Sequence, residues 1–214
     1  MLVLVMTYKK NGKWNPTFYD SKKRFEEMGY KVEPVEGYNL KEHPEIKPNQ
    51  VVYLNLKNKV LPVLQKKKDD DKNNEPGVLV AEDDAYVSDI LTPAFLLKKL
   101  KENGYKSKII RVGYQKVLKH PKEGYPRGYF CVGNQLIWFP NSQLSKLKSE
   151  LNKQKPQHLN GFLSKNMNID IKLLDDAIQI KQGQKYVKEI EHMSATTKKI
   201  RKGLKLTKKN NKNL

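Results

Sequence analysis

The chain has 214 residues, enough for one well-packed domain with a small appendage but not for two full domains. Lys and Arg number 42 against 23 Asp and Glu, and the resulting formal charge of +19 favours polyanionic partners. The single cysteine, Cys131, excludes an intramolecular disulfide bond. No apolar run approaches the roughly 18–20 residues that span a bilayer, and residues 1–6 lack the basic start of a signal peptide. We therefore expect an intracellular protein, cytoplasmic or enclosed in a viral particle.

The first part of the chain alternates between the patterns of strands and helices. Short apolar or alternating runs predict strands, whereas apolar residues three or four apart predict helices. Gly29, which follows the first helical pattern, is typical of a helix end. In chain order we predict a strand at 1–6, a polar loop at 8–14, a helix at 21–28, a strand at 30–35, a helix at 49–64, a charged loop at 66–76 and a strand at 78–81.

The alternation continues to about residue 151. Thr92 and Pro93 are typical of a helix start and Gly104 of its end. The remaining predicted elements are a helix at 93–102, a strand at 109–112, two strands at 129–132 and 135–139 joined through Gly133-Asn134, and a helix at 142–151. We therefore predict an α/β fold with a mostly parallel sheet flanked by helices, whose ligand site lies beyond the carboxyl ends of the strands.

Three consecutive acids, Glu82, Asp83 and Asp84, follow the predicted strand at 78–81. Like charges at the end of a buried strand repel one another and are costly to desolvate, so the cluster favours a bound cation or cationic ligand. A shell made only of oxygen atoms suits Mg²⁺ or Mn²⁺. The alternative is a solvated strand end that caps the following turn.

The end of the chain has a different composition. Apolar residues at spacings of three and four over 190–204 predict a basic amphipathic helix. We predict a helical extension at 166–193 and a flexible basic tail at 194–214 that contacts the phosphates of DNA or RNA, with a solubilising extension as the alternative. The tail contains eight basic residues and no acid, namely Lys198, Lys199, Arg201, Lys202, Lys205, Lys208, Lys209 and Lys212.

The order of the motifs over residues 1–165 resembles glycosyltransferase family 25, the lipooligosaccharide and collagen galactosyltransferase group, which has a Rossmann-related, GT-A-type fold. The resemblance rests on the opening apolar strand, the turn Val35-Glu36-Gly37-Tyr38-Asn39, the Glu-Asp-Asp triplet after an apolar strand, the strand that ends at Gly113, and the aromatic stretch 128–134 that precedes an amphipathic helix. Residues 1–165 are accordingly predicted to form a glycosyltransferase-like domain.

This resemblance implies a nucleotide-sugar donor and a glycan or protein acceptor. It also implies a metal, Mn²⁺ or Mg²⁺, held by Asp84 with Asp83 or Glu82 in support. A divalent ion at this position would neutralise the charge that develops on a diphosphate leaving group. Basic residues near the first strand are candidates to contact the phosphates, namely Lys9, Lys10 and Arg24.

Two positions depart from the family pattern. Residues 49–56 lack the usual Gly-Cys-X-X-Ser-His stretch, and Asn160 stands where the family has an acid. An asparagine cannot take a proton from the acceptor, so Asp170 becomes the candidate base. Two hypotheses follow: a metal-dependent glycosyltransferase of weak activity, or a basic nucleic-acid-binding protein, packaged with a genome, that reuses the fold without catalysis.

Overall fold

A computed structural model describes residues 1–70, 75–83, 85, 91–102, 104–113, 116–119, 129–132, 136–167 and 169–170. The strands are β1 (Leu2–Thr7), β2 (Lys9–Lys10), β3 (Lys13–Trp14), β4 (Lys31–Glu36), β5 (Gly77–Glu82), β6 (Ile109–Gly113), β7 (Lys116–Lys119), β8 (Tyr129–Val132), β9 (Leu136–Pro140) and β10 (Ile169–Asp170). The helices are α1 (Pro16–Glu27), α2 (Val51–Asn55), α3 (Leu61–Asp69), α4 (Pro93–Glu102), α5 (Leu144–Lys153) and α6 (Leu159–Asn166).

A six-stranded sheet of order β10-β6-β9-β5-β1-β4 forms the centre of the molecule. β1 pairs in parallel with both β4 and β5, and β10 pairs in parallel with β6. β9 alone runs antiparallel to its two neighbours, β5 and β6. The α/β class and the mostly parallel sheet predicted from the sequence are thereby confirmed, since five of the six strands share one direction.

Helices cover both faces of this sheet, which explains the unbroken apolar runs of its strands. Successive side chains of β5 point to opposite faces, so Val78 and Val80 contact one core cluster while Leu79 and Ala81 contact the other. The first cluster includes residues of α2, α3, α5 and α6, and the second includes residues of α1 and α4. The molecule therefore has three layers, with the sheet between two helical layers.

A π-helical segment, Leu56–Val60, joins α2 to α3. Pro62 lies in the first turn of α3, and its ring has no N–H to donate and conflicts with the carbonyl four residues earlier. A π turn immediately before this proline is a local solution to that conflict. Buried side chains on both sides, including Tyr53, Leu56 and Leu64, keep the segment packed on the sheet.

Several elements differ from the sequence predictions in extent or in pairing. The predicted polar loop contains a small hairpin of β2 and β3, because Asn11 and Gly12 adopt φ values of 52° and 76° and close a tight turn. α1 begins at Pro16 rather than at residue 21, and α3 continues into the predicted charged loop, to Asp69. α6, β7 and β10 have no counterpart among the elements predicted from the sequence.

The two strands expected to be joined through Gly133-Asn134 belong to different sheets. β8 pairs with β7 in a separate two-stranded sheet, whereas β9 enters the central sheet between β5 and β6. Local alternation predicts where strands form but not which strands pair with one another.

β10 adds Ile169–Asp170 to the sheet, so the sheet continues past residue 165. The predicted domain boundaries remain predictions, and the predicted basic helix and tail lie outside the described residues. Among the helices of the described part of the chain, none combines the length and the apolar character needed to cross a membrane.

Candidate functional site: a pocket at the carboxyl edge of the sheet

A pocket of about 280 Å³ lies beyond the carboxyl ends of β4, β1 and β5. β1 lies between β4 and β5 in the sheet. The chain passes from β1 to β4 on one side of β1 and then returns to form β5 on the other side. This reversal of strand order creates a crevice, and ligands of open α/β sheets bind there. One wall of the pocket is acidic and the other is apolar and aromatic.

The acidic wall consists of Glu82 and Asp83. Glu82 is the last residue of β5, and its register partner on β1 is Met6. The Asp83 Oδ2 atom accepts a hydrogen bond from the Thr7 hydroxyl at 2.9 Å and one from the Asn15 side-chain amide at 2.8 Å. Both donors are neutral, so they orient the carboxylate without cancelling its charge. The other oxygen, Oδ1, makes no hydrogen bond to any residue that the structure describes.

The opposite wall consists of Tyr38 and Leu40, which follow β4, and of Val51 and Val52 from α2. Tyr38 is held from several directions. Asn58 donates a hydrogen bond to its hydroxyl at 3.0 Å, and the Lys59 Nζ atom lies 5.0 Å from its ring centroid. The His43 ring meets it edge to face at 5.0 Å. The aromatic wall is therefore preorganised before any ligand arrives.

The Asn55 side chain connects the two elements of this wall. Its Oδ1 atom accepts a hydrogen bond from the Tyr38 backbone N–H at 2.8 Å. Gly37 lies against the same amide, because a Cβ atom at position 37 would come within 2.8 Å of Asn55 Nδ2. The Gly37 N–H in turn donates to the Thr7 carbonyl at 2.6 Å. The end of β4 is thus tied to the end of β1 on one side and to α2 on the other.

Hydrogen bonds to α5 hold α2 and the π-helical segment in place. The buried Tyr53 hydroxyl donates to the Leu151 carbonyl at 3.0 Å, and Lys57 Nζ donates to the same oxygen at 3.0 Å. These bonds satisfy a carbonyl in the last turn of α5, which has no partner within its own helix. Burial raises the pKa of the Tyr53 phenol, so this donor keeps its proton over the physiological range.

The acidic wall suits a hard divalent cation in its donor chemistry. Asp83 lines the pocket, and Thr7 and Asn15 hold one of its carboxylate oxygens, which is how outer hydrogen bonds orient a metal ligand. Within the described residues, no group of three or more His, Cys, Asp or Glu side chains lies together as a metal site. Asp84, the predicted principal ligand, lies outside the described residues.

The structure brings only some of the predicted site residues together. Lys9 is next to the pocket residue Tyr8; its Nζ atom contacts Glu36 at 2.9 Å and lies 4.5 Å from the Trp14 ring centroid. Lys10 is exposed in the hairpin that follows β1. Arg24 lies in the last turn of α1, about 12 Å along the helix axis from its start at the carboxyl edge, and so towards the amino edge of the sheet.

The candidate catalytic positions lie in elements that do not line the pocket. Asn160 belongs to α6, which packs on the sheet face shared with α2. Asp170 belongs to β10, the edge strand three places from β5, and this separation corresponds to about 14 Å. All basic residues predicted to contact nucleic acid lie outside the described residues.

Several pocket residues were missed by the sequence analysis. Tyr38 was within a motif that we noted as a turn, and a tyrosine just beyond a strand end in an α/β pattern is a usable signal. Asn55 had no such signal, because a single asparagine at a helical position is also typical of a solvated surface. Thr7 and Asn15 act through Asp83, over sequence separations of 76 and 68 residues that no local pattern encodes.

The sequence matches no protein-family model and no curated protein. Among solved structures, the chain is similar to 4-diphosphocytidyl-2C-methyl-D-erythritol synthase from Anaerococcus prevotii DSM 20548, at 9% identity and a TM-score of 0.35. The alignment covers 86% of this chain and 97% of that one. A TM-score of this size supports no inference about function.

Proposed function

We propose that the chain binds a nucleoside diphosphate-sugar in the pocket at the carboxyl edge of the sheet. The observation that carries this proposal is the two-sided pocket at the reversal of strand order. Its acidic wall, Glu82 and Asp83, suits a cation-bridged diphosphate, and its aromatic wall, with Tyr38 and Leu40, suits a base and ribose. The resemblance to glycosyltransferases of family 25 agrees with this choice of ligand.

Residues of the two walls would have different roles in binding. Thr7 and Asn15 hold Asp83 in one orientation, so the position of its charged carboxylate is fixed. Val51 and Val52 exclude water from the base side. A divalent cation, when bound to Asp83 and Glu82 with Asp84, would supply electrostatic stabilisation of the departing diphosphate.

Glycosyl transfer is proposed to be weak. The separation of β10 from β5 leaves Asp170 about 14 Å from the acidic wall across the sheet, and Asn160 cannot act as a base. We expect nucleotide-sugar binding to exceed the turnover that the same site supports. Robust turnover that persists in the Asp170→Ala variant would show that another group serves as the base.

A thermal-shift and calorimetric titration with nucleoside diphosphates and their sugar conjugates, each with Mn²⁺, tests the binding proposal. A ligand at one hundred times its Kd stabilises the folded state by about 2.7 kcal/mol. We expect Val52→Phe, which fills the pocket, to weaken binding at least tenfold. Val63→Phe is the matched control, because Val63 is also a partly buried valine packed on the same core cluster but does not line the pocket.

The outcomes separate clearly. Binding that is lost in Val52→Phe and in Asp83→Asn but kept in Val63→Phe supports the pocket as the nucleotide site. Equal loss in both valine variants would instead indicate a general effect on the core. The absence of any nucleotide-dependent shift in the folded wild-type protein with Mn²⁺ would exclude the proposal.

The charge of the chain favours a second function, electrostatic binding of DNA or RNA. Residues 194–214 carry eight basic residues and no acid, so they concentrate part of the +19 charge. Each phosphate neutralised on B-DNA contributes about −0.9 to the slope of log K against log salt, so engagement of half of this tail would give a slope of about −4.

Deleting residues 194–214 tests this second function. We expect the deletion to flatten the salt dependence by a comparable amount, with an almost unchanged melting temperature. The nucleotide pocket is retained in the deletion variant, so nucleotide binding serves as the internal control. A full-length chain that binds neither duplex DNA nor RNA at about 50 mM salt would limit the tail to a solubilising role.

A further inference from the structure

Asn55 lines the pocket, and the oxygen of its side-chain amide is held by a backbone N–H. A neutral amide has one carbonyl oxygen and one NH₂ group, and only the oxygen can accept from the Tyr38 N–H. This bond fixes which way the amide is turned. The Nδ2 atom makes no hydrogen bond to any residue within the described ranges, and Asn55 lines the pocket.

The position of Asn55 determines which part of a nucleotide it can meet. The acids lie at the end of β5, whereas Tyr38 follows β4, two strands away. Two strand spacings amount to about 10 Å, comparable to the length of a nucleotide from its phosphates to the far edge of its base. With the diphosphate at Glu82 and Asp83, that far edge faces Tyr38 and Asn55.

The far edges of the four common bases differ in one respect that an amide donor detects. Uracil and guanine present a keto oxygen there, whereas cytosine and adenine present an amino group. A free asparagine can turn both its oxygen and its nitrogen towards adenine, but the Tyr38 N–H holds the Asn55 oxygen on the Tyr38 side. The NH₂ group of Asn55 would then face the NH₂ group of the base, and two donors cannot form a hydrogen bond with each other.

We propose that Asn55 determines base specificity, an inference that rests on the proposed nucleotide site. Asn55 would select nucleoside diphosphates whose base has a keto group on the far edge over those with an amino group there. Two further features of the surroundings of Asn55 agree with this role. Gly37 leaves room for it, since a Cβ atom there would come within 3.0 Å of three side-chain atoms of Asn55. The π-helical segment begins at the next residue, and π turns recur at functional sites.

The decisive experiment compares four ligands, UDP, CDP, GDP and ADP, with Mn²⁺ on wild type and on Asn55→Asp. We expect wild type to prefer UDP to CDP and GDP to ADP by about tenfold or more, the loss typical of an unpaired buried polar group. Asn55→Asp keeps the oxygen that accepts from Tyr38 but replaces NH₂ with a second acceptor. The preference should therefore reverse, to CDP over UDP.

The ratio of two affinities is the readout, because the added charge in Asn55→Asp weakens all diphosphates alike. Asn152→Asp, an exposed position on α5, introduces the same charge outside the pocket and should leave the ratio unchanged. A second measurement uses only wild type: the diphosphate of pyrimidin-2-one riboside lacks the 4-oxygen and should bind about tenfold more weakly than UDP.

Two kinds of failure are distinguishable. If wild type binds none of the nucleotides, the proposed function fails. If it binds them, but without a keto preference, or if Asn55→Asp keeps the wild-type order, only the role of Asn55 is overturned. Should Asn55→Asp bind nothing, the comparison of UDP with the pyrimidin-2-one analogue on wild type decides, and equal affinities would refute the proposal.

Discussion

The two edges of the central sheet have the same strands but opposite characters. At the amino edge, loops close on one another: the Asn141 N–H donates to the Pro76 carbonyl at 2.9 Å, and the Ser142 hydroxyl donates to the Lys106 carbonyl at 2.6 Å. At the carboxyl edge the chain leaves a pocket of about 280 Å³ with charged and amide groups in its walls. One edge completes the fold, and the other leaves polar groups in the walls of a pocket.

One glycine at each edge shows how this difference arises. Gly77, the first residue of β5, lies where a Cβ atom would be 2.4 Å from the Phe139 carbonyl oxygen and 2.7 Å from Pro140 Cα. Gly37, just after β4, lies where the three atoms nearest to an added Cβ atom all belong to the Asn55 side chain, at 2.8–3.0 Å. The first glycine permits two backbones to approach, whereas the second permits a side chain to keep a position. We expect the first to determine stability and the second to determine binding.

The largest effect is expected for Gly77→Ala. A methyl group would overlap backbone atoms of a paired strand, which can move only if the sheet distorts, and overpacking of this kind costs about 1–3 kcal/mol or more. Urea unfolding should show a loss near the upper end of that range, about 3 kcal/mol. Nucleotide affinity of the folded fraction should be unchanged, because the pocket lies at the opposite edge.

Gly161→Ala is the control for this substitution. Gly161 lies in α6, and an added Cβ atom would meet nothing within 4 Å beyond its chain neighbours and the backbone of its own helix. An alanine in a helix is favoured over glycine by up to about 1 kcal/mol, so this variant should be neutral or more stable. Similar losses in both variants would show that the contact at Gly77 is not the cause.

An intermediate effect on stability is expected for Gly37→Ala. The Asn55 amide can rotate away from the new methyl group, so the free energy of unfolding should fall by only about 1 kcal/mol, the worth of one hydrogen bond. That rotation would break the bond between Tyr38 N–H and Asn55 Oδ1. The ratio of UDP to CDP affinities should then approach one, even though Asn55 is still present.

The result that would contradict this reasoning is a Gly37→Ala variant with the wild-type ratio of affinities and a large loss of stability. Gly37 would then resemble Gly77, and the contrast between the two edges would disappear. Isothermal titration with UDP and CDP on the folded variant, beside its urea unfolding curve, distinguishes the two cases.

The sequence predicted the fold class well and the sheet topology less well. Buried parallel strands such as β1 and β5 have nearly continuous apolar runs, so their existence follows from composition alone. The place of β9 does not: its five residues pair with β5, which begins 59 residues earlier, and three of them also pair with β6, which begins 27 residues earlier. Such pairing depends on the whole core and not on the local pattern.

The same distinction applies to the site. Glu82 and Asp83 were predicted to belong to the ligand site because three acids after an apolar strand are a local feature, and both line the pocket. The orientation of Asp83 depends on Asn15, and that of Asn55 depends on Gly37 and Tyr38, which are distant in sequence. The π turn after Asn55 arises from packing around a proline, and no sequence rule used for helices predicts it.

The smallest combined effect on stability and binding is expected for Tyr30→Phe, which sharpens the comparison at the amino edge through pH. Tyr30 precedes β4, is almost fully buried, and donates its hydroxyl to the Leu91 carbonyl at 2.7 Å. Near neutral pH, loss of this hydrogen bond should lower the free energy of unfolding by about 1 kcal/mol. Nucleotide binding should not change.

The difference between Tyr30→Phe and wild type should shrink as the solution becomes alkaline. Burial raises the pKa of the Tyr30 phenol above its ordinary value, so the folded state keeps a proton that the unfolded state loses above about pH 10. This contribution to stability is complete below the unfolded pKa and declines as pH rises through and beyond it, by up to about 1.4 kcal/mol per pH unit. The phenylalanine variant lacks the ionisable group, so its stability does not decline in this way.

Urea unfolding at pH 8 and at pH 10.5 measures the difference between the two proteins. Tyr19→Phe, at a half-exposed tyrosine, is the control and should stay within about 0.5 kcal/mol of wild type. A gap between wild type and Tyr30→Phe that widens with pH would mean that the phenol ionises more readily in the folded state, contrary to the burial of Tyr30 in a closed amino edge.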